Sequence, residues 1–340
     1  MNIALFILGL VITLVTIFDM ISTILSPRGA GFIADRISRG IWRACLMACN
    51  RDGRKKFLNI VGPALLLIIV LTWILLLWFG NTFIVYSDAE ALWSSSKNAY
   101  VTGFVEKMYF TAYVLSSMGN GDYTPGNGWW MIYTGFISYT GVVFISLGIS
   151  FLIPVVDAIT LKRQISLRIH QLGKTPSEII KRYEENNFKE LLQVLNELEP
   201  SLLKLAQQHL AYPVIHYFHS ENLHESLSVK LVTLDETMSI LLYSVDKENL
   251  SDIHALERAY GATTYYLSTL ASAFIKPGDD EPKRPNTSNL KNVSKETSQR
   301  GTGHEEDLSK RRKLLLAYIQ NDGWEWEDVE ENTDSISLGF

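Results

Sequence analysis

Apolar positions are crowded into the first 156 residues of this 340-residue chain, and the remainder alternates as an ordinary water-facing protein does. Residues 3–25 form a first apolar run with Asp19 as its only charge. Met1-Asn2 supplies no basic stretch, and no small-x-small cleavage site follows cleanly, so a retained span is expected rather than a removed signal peptide. Ile60 to Phe79 is free of charge. Twenty residues at ~1.5 Å rise cover about 30 Å, the thickness of a hydrocarbon core. Pro63 falls in the first turn of that span, where proline is tolerated. A third run, 129–156, opens on Trp129-Trp130, a pair suited to the membrane interface.

Between the second and third runs, Phe104 to Leu115 is apolar and aromatic but too short to span. A half-length helix that dips in and returns as an extended loop fits that length. Irregular backbone at membrane depth is allowed only where protein buries it or a watery path runs beside it. The carboxyl end of such a helix carries a partial negative charge that favours a cation. After it comes Ser116-Ser117-Met118-Gly119-Asn120-Gly121-Asp122-Tyr123-Thr124-Pro125. Two glycines alternating with side-chain-bearing residues, after paired hydroxyls, can turn consecutive carbonyls toward one axis. A ring of such loops can replace the water around a bare cation.

Beyond residue 157 the pattern is helical and soluble. Thr175-Pro176-Ser177-Glu178 reads as a capping box with proline at the first helical position. Ile179, Ile180, Tyr183, Phe188, Leu191, Leu192, Leu195 and Leu198 then recur at helical spacing up to Pro200, where the helix is expected to end. Leu202 to Phe218 reads as a helix interrupted by Pro213; Leu227 to Val245 and Ile253 to Ile275 follow, with Lys276-Pro277-Gly278 as a stop. Four helices on short loops suggest a bundle. Residues 276–307 carry three prolines and many charges, with Leu290 and Val293 as aliphatics, and read as a disordered linker. Leu308 to Gln320 suits a short helix. The tail that follows places Trp324 and Trp326 among acids, which suggests docking onto the bundle or a partner, or else a solubilising tail.

Charge sets the expected orientation. The loop 28–56 holds Arg28, Arg36, Arg39, Arg43, Arg51, Arg54, Lys55 and Lys56 against Asp35 and Asp52, so it should remain in the cytosol. The amino terminus and residues 80–128 are then outside, and everything after 157 is cytosolic, in agreement with Lys162, Arg163 and Arg168 at that exit. Ile33, Ile37, Ile41 and Trp42 recur at helical spacing between the arginines, as in an amphipathic helix lying on the membrane surface; a solvated basic linker is the other reading. A net charge of −5 without a long basic stripe argues against nucleic-acid binding. Cys45 and Cys49, the two cysteines, read as a reduced pair filling small gaps. His209, His216, His219 and His224 gather around Pro213, and such imidazoles can bind zinc or sense pH, although solvated or packed histidines are commoner. No nucleophile–base pair, metal motif or phosphate loop is recognisable, so no catalytic site and no cofactor are expected.

The run Tyr109 to Asp122 resembles the pore helix and filter of potassium channels, whose pattern is Thr-Thr-Val-Gly-Tyr/Phe-Gly-Asp followed by a proline. Helix, filter and inner span together cover about residues 104–156. The layout also resembles, more weakly, a bacterial ion-channel group with an extra amino-terminal span, marked by Asp19 and Ser22-Thr23 before the basic loop. The resemblance implies that Ser117 offers hydroxyl and carbonyl to the innermost K+ site. Met118, Gly119 and Asn120 would offer backbone carbonyls, Gly121 the outer turn, and Asp122 a prop behind the filter. Gly141 falls near the spacing of the inner-helix hinge glycine, with Gly148 a second candidate; close helix packing explains either equally well. Asn120 replaces the family's aromatic residue, and Ser117 its threonine. Ligand number and rigidity bear on potassium over sodium preference. Cation conduction therefore follows more directly than strict selectivity, and a weakly selective cation pore or a non-conducting anchor or receptor are the alternatives.

The resemblance further implies a homotetramer, since one chain supplies one loop. No arginines repeat every third residue as in a voltage sensor. The expected architecture is an all-α, multi-pass cell-membrane protein. Its parts are a first span (1–28), a cytosolic basic linker (29–56), a pore domain of span, pore helix, filter and inner span (57–158), a cytosolic helical domain (159–275), a linker (276–307) and an acidic tail with a short helix (308–340). A regulatory ligand or protein at the cytosolic domain is a further expectation.

Overall fold

The computed structural model describes residues 1–26, 29–119, 121–283 and 302–330. Arg28 of the basic loop, Asn120, and residues 284–301 and 331–340 of the linker and tail lie outside the described residues. Among the described residues eleven α-helices run in chain order: α1 (Ile3–Leu25), α2 (Phe32–Ala48), α3 (Phe57–Tyr86), α4 (Phe104–Leu115), α5 (Gly128–Leu172), α6 (Pro176–Tyr183), α7 (Lys189–Ala211), α8 (Leu227–Ser244), α9 (Ile253–Ala273), α10 (Thr302–Asn321) and α11 (Glu327–Glu330). The helices α1, α3 and α5 are long and apolar enough to cross a membrane. Both later spans extend past the apolar runs that announced them, which places Pro63 inside α3 rather than in its first turn. The all-α expectation needs one amendment. Short strands β1 (Leu92–Ser94), β2 (Ala99–Tyr100) and β3 (Tyr123–Pro125) form an antiparallel sheet in the order β2-β1-β3.

The chain divides into two compact units, Met1–Ile37 with Ala64–Pro154, and Ser38–Pro63 with Val155–Phe340. In the first unit, Asp19 is buried within α1 and its carboxylate is fully engaged. It accepts from the Ile33 amide at 2.7 Å and the Ala34 amide at 3.4 Å, which are orphan donors at the start of α2, and from Trp73 Nε1 at 2.8 Å. Thr23 Oγ1 takes the Gly31 amide at 2.9 Å and donates to the Asp19 carbonyl at 2.8 Å. Along α1 and α3 the backbones meet at Gly9 and Gly80; a Cβ on Gly9 would stand 2.5 Å from the Gly80 carbonyl oxygen. Small residues permit this approach between spans. The Asn2 amide donates to the Ser87 carbonyl at 2.5 Å, so the start of α1 and the end of α3 share one side.

The second unit is a helical bundle built on α8, whose residues Leu227–Leu241 are all buried. α7 packs chiefly on α9. The capping box forms, with the Glu178 amide donating to Thr175 Oγ1 at 3.2 Å. The expected continuous helix after it is broken, because Asn187 and Phe188 both adopt left-handed backbone (φ 49° and 57°) and turn Phe188 into the core. Pro200 does not end a helix; it sits inside α7. Leu195, Leu198, Leu202 and Leu205 are buried on both sides of it, and their packing carries the helix past the lost hydrogen bond. The helix expected to reach Phe218 stops at Ala211 and gives way to a 3-10 turn over Pro213–Tyr217.

The second unit takes in more than 159–275, for Ser38–Pro63, which includes the later part of the basic segment, and the tail belong to it. Trp42, expected on a membrane-facing side, is buried and donates from Nε1 to the Asn321 carbonyl at 3.1 Å. α10 begins at Thr302, inside the stretch read as linker. It docks on α8 through two consecutive ion pairs. Arg311 Nε meets Asp235 Oδ2 at 2.8 Å, and Arg312 places Nε and Nη2 on Glu236 at 2.8 and 2.7 Å. Trp324 and Trp326 are buried in the core, so the tail docks onto the bundle.

The histidines separate rather than converge, and no group of three or more His, Cys, Asp or Glu side chains among the described residues is placed to hold a metal ion. His209 and His216 are buried with His209 Nε2 3.3 Å from His216 Nδ1, and His216 Nε2 lies 2.8 Å from Asn321 Oδ1. Burial holds both below the ordinary imidazole range, His216 at about 4. His219 meets Asp322 at 2.9 Å and the Gly53 carbonyl at 2.7 Å. Burial opposes its charge, but the Asp322 charge, the hydrogen bond to it and the Gly53 carbonyl outweigh that and leave His219 raised. Burial likewise opposes the Asp322 charge, yet His219, Lys162 and Ser228 leave its carboxyl lowered. His224 lies instead beside His170.

Two outcomes are expected from these contacts. Trp324→Ala should destabilise the full chain by ~3–5 kcal/mol in chemical denaturation followed by circular dichroism, because a buried indole is exchanged for a cavity. The histidines should act in opposite directions. A raised His219 contributes stability that is complete below the unfolded value of about 6.5 and is lost as pH rises through the folded value. The stability gap between wild type and His219→Gln should therefore shrink as pH rises above ~7. Depressed His209 and His216 cost stability as pH falls from about 6.5 toward 4, so His216→Gln should flatten the acid limb of the wild-type profile.

Candidate ion-conduction site

The half-length helix α4 is held against α3 at three levels. Lys107, buried, donates to the carbonyls of Val85 at 3.3 Å and Asp88 at 2.5 Å, placing a cation on the carboxyl end of α3. Thr111 and Thr82 share a hydroxyl hydrogen bond of 2.7 Å. Trp78 Nε1 donates to the Met108 carbonyl at 2.8 Å. Phe110, Tyr113 and Val114 then pack with Ile84, Val85, Leu92, Val101, Trp130 and Ile137 in a core of their own. Lys107 escaped the reading of the sequence, although a lone lysine inside an apolar aromatic segment was the available signal. The Gly9-x-x-x-Thr13 spacing that marks the α1–α3 approach was equally legible and equally unread.

The loop that leaves α4 is exposed on Ser116, Ser117, Met118, Gly119, Gly121 and Asp122. Ser117 and Gly119 both take left-handed backbone, φ 58° and 62°, with Met118 between them. That alternation turns successive carbonyls away from the path a helix or strand would give them. Ser117 Oγ lies 3.2 Å from Ser138 Oγ of α5 within the single chain, so its hydroxyl is engaged by α5. Met118 is 67 % exposed. Gly119 and Gly121 have open space where a Cβ would stand. Asn120 lies outside the described residues.

Asp122, the expected prop, is exposed. The tie between α4 and the chain beyond the loop is made one residue later, where Tyr113 Oη donates to the Tyr123 carbonyl at 2.9 Å. Strand β3 then joins Tyr123–Pro125 to β1, so the far end of the loop is anchored to the chain that follows α3. Of the two hinge candidates, Gly141 is buried directly against the carbonyl of Leu115 at the end of α4, while Gly148 faces open space. Gly141 is therefore a close-packing position for the loop's base, and Gly148 is the freer of the two.

Over residues 128–154, α5 buries Trp130, Ile137, Gly141 and Phe151 and leaves Met131, Ile132, Phe136, Tyr139, Val143 and Ile153 exposed. Such a surface on a membrane helix is covered by lipid or by further protein. A cavity of about 420 Å³ with almost wholly apolar walls lies between α1, α3, the end of α4 and α5, bordered by Trp73, Leu115, Gly141 and Gly148.

No protein-family model matches the chain, and no solved structure matches it. The chain is similar to an uncharacterized membrane protein, YdjJ, of Bacillus subtilis (strain 168), with 28% identity over 338 residues that cover 97% of each chain. With its three apolar helices and that full-length likeness, the chain is a mostly helical membrane protein.

Proposed function

We propose that this protein is one subunit of a homotetrameric potassium channel, in which α4 is a re-entrant pore helix and residues 117–121 line the conduction path. The observation that carries this reading is the helix–loop unit itself. A twelve-residue helix set between two spans ends in an exposed loop whose backbone alternates into the left-handed region at Ser117 and Gly119. The carboxyl end of α4 turns the negative end of its helix dipole toward the base of that loop, which favours a cation there. Four copies around one axis would replace a hydration shell with carbonyls. The broad exposed face of α5 supplies surface for such copies.

In this reading the amino terminus and the residue 87–103 segment share the outer side, and the helical unit is cytosolic and regulates opening. The basic residues 28–56 support that orientation. Asn120, where the family carries an aromatic ring, favours a second reading in which the pore conducts monovalent cations with weak selectivity.

A reversal potential for the purified protein in a planar bilayer, with potassium on one side and sodium on the other, separates the two. The potassium reading expects a strong shift toward the potassium equilibrium; current reversing near zero assigns the weakly selective pore. Gly119→Ala should abolish flux without changing assembled size, because alanine in left-handed backbone costs roughly 1–2 kcal/mol and reorients the carbonyls. Flux persisting in an assembled Gly119→Ala protein would overturn the filter assignment. Gly141→Ala should also depress flux, since its Cβ meets the Leu115 carbonyl, whereas Gly148→Ala should change flux less than twofold if close packing is what Gly141 supplies, a bound of about 0.4 kcal/mol.

A further inference from the structure

A cavity of about 250 Å³ lies wholly within the second unit, walled by Asn59, by Lys162 and its neighbours on α5, by the segment 218–227 that leads into α8, and by Asp322 just past α10. Lys162 is buried, and its Nζ donates to the Phe218 carbonyl at 2.7 Å. An ammonium carries three donors, and among the described residues that carbonyl is the one acceptor this group meets. Asp322 lies close enough to act on the Lys162 charge, but its oxygens are already occupied. Oδ1 faces His219 Nδ1 at 2.9 Å, and Oδ2 accepts from Ser226 at 3.3 Å and Ser228 at 2.6 Å. Glu225, the second carboxylate in the wall, takes the Arg163 guanidinium and the Ser220 hydroxyl, the latter at 3.1 Å. Asn59 spends Oδ1 on the Glu221 amide at 2.9 Å, which leaves its NH2 to donate. The acceptors of the wall are therefore engaged, and its remaining capacity is in donors around one buried cation. A ligand with lone pairs and a negative charge completes such a set.

The rest of the wall narrows the class of anion. Two carboxylates beside the cavity repel a doubly charged ligand more than a singly charged one. Ile159, Phe218 and Leu227 add an apolar surface, from which an inorganic ion gains nothing. The volume lies just below the range of drug-sized pockets, so the ligand is small. We propose that this cavity binds a small monocarboxylate with a short apolar body, its carboxylate on Lys162 Nζ and Asn59 Nδ2 and its body against Ile159, Phe218 and Leu227. The site stands apart from ion conduction, because binding is read without any flux.

The test titrates the full-length protein in detergent with acetate and with butyrate. Binding is followed by saturation-transfer difference NMR against empty micelles. Butyrate should bind saturably, and roughly tenfold more tightly than acetate for its two further methylenes. Lys162→Met and, separately, Asn59→Asp should each weaken butyrate by roughly tenfold or more, the usual worth of a hydrogen bond to a charged group. Asn59→Asp keeps the oxygen that the Glu221 amide uses, so it tests the site even where Lys162→Met does not fold. Arg258→Gln, on α9 and outside the cavity, should leave the affinity unchanged. A butyrate signal no greater than that of empty micelles means that the cavity holds solvent alone and overturns the proposal. Butyrate affinity surviving in folded Lys162→Met, or in Asn59→Asp, also overturns it. Equal affinity for acetate and butyrate removes the apolar wall from the site and counts against it. Displacement of butyrate by phosphate or chloride at equal ionic strength assigns an inorganic-anion site and overturns the carboxylate assignment.

Discussion

A carboxylate inside an apolar span has to be given donors, and the way Asp19 obtains them organises the amino-terminal unit. Its oxygens take the first amides of α2 and the indole of Trp73, so one side chain holds α1, the start of α2 and α3 together. An ionised or polar group left without partners at that depth would cost several kcal/mol. The chain is therefore constrained to turn after Leu25 so that the amides of Ile33 and Ala34 face back toward α1. With α1 and α3 registered in this way, and drawn close at Gly9 and Gly80, α3 offers a rigid face on which α4 is placed by Lys107, Thr111 and the Met108 carbonyl.

The same principle recurs in the helical unit with different groups. Arg311 and Arg312 lay two planar guanidinium groups on Asp235 and Glu236 of α8, and His219 joins Asp322 to the Gly53 carbonyl. Buried ion pairs carry a large desolvation cost and are weak sources of net stability. Breaking one partner is costly, however, so each pair admits a single arrangement. Their effect here is positional: α10 can sit on α8 in one register, and Trp324 then fills the space beside Gly53 and His219. A tail attached in this way is part of the domain rather than an appendage of it.

Element by element, hydropathy made the three spans legible because a bilayer demands a long apolar run whatever surrounds it. The half-length segment before Ser116 was legible for a related reason, since its length excludes a crossing. Helix ends were read less well. Pro200 lies within α7 because leucines on either side of it are buried against other helices, and the break came instead at Asn187 and Phe188, where no proline or glycine announces it. The small sheet that anchors the far end of the loop was unreadable, since strands of two or three residues carry no periodicity.

The amino-acid sequence by itself determined which segments must leave water and which stretch between two spans is too short to cross. Those properties reside in local composition, and no partner is needed to express them. Tertiary structure decided where the isolated polar groups find their complements: Asp19 at the start of α2, Lys107 on the end of α3, Trp42 and Trp324 within the helical core, and the tie behind the loop at Tyr113 rather than Asp122. Each of these depends on residues distant in the chain. The stabilisation of a buried polar or aromatic group is a property of the pair it forms, and a one-dimensional pattern specifies only half of that pair.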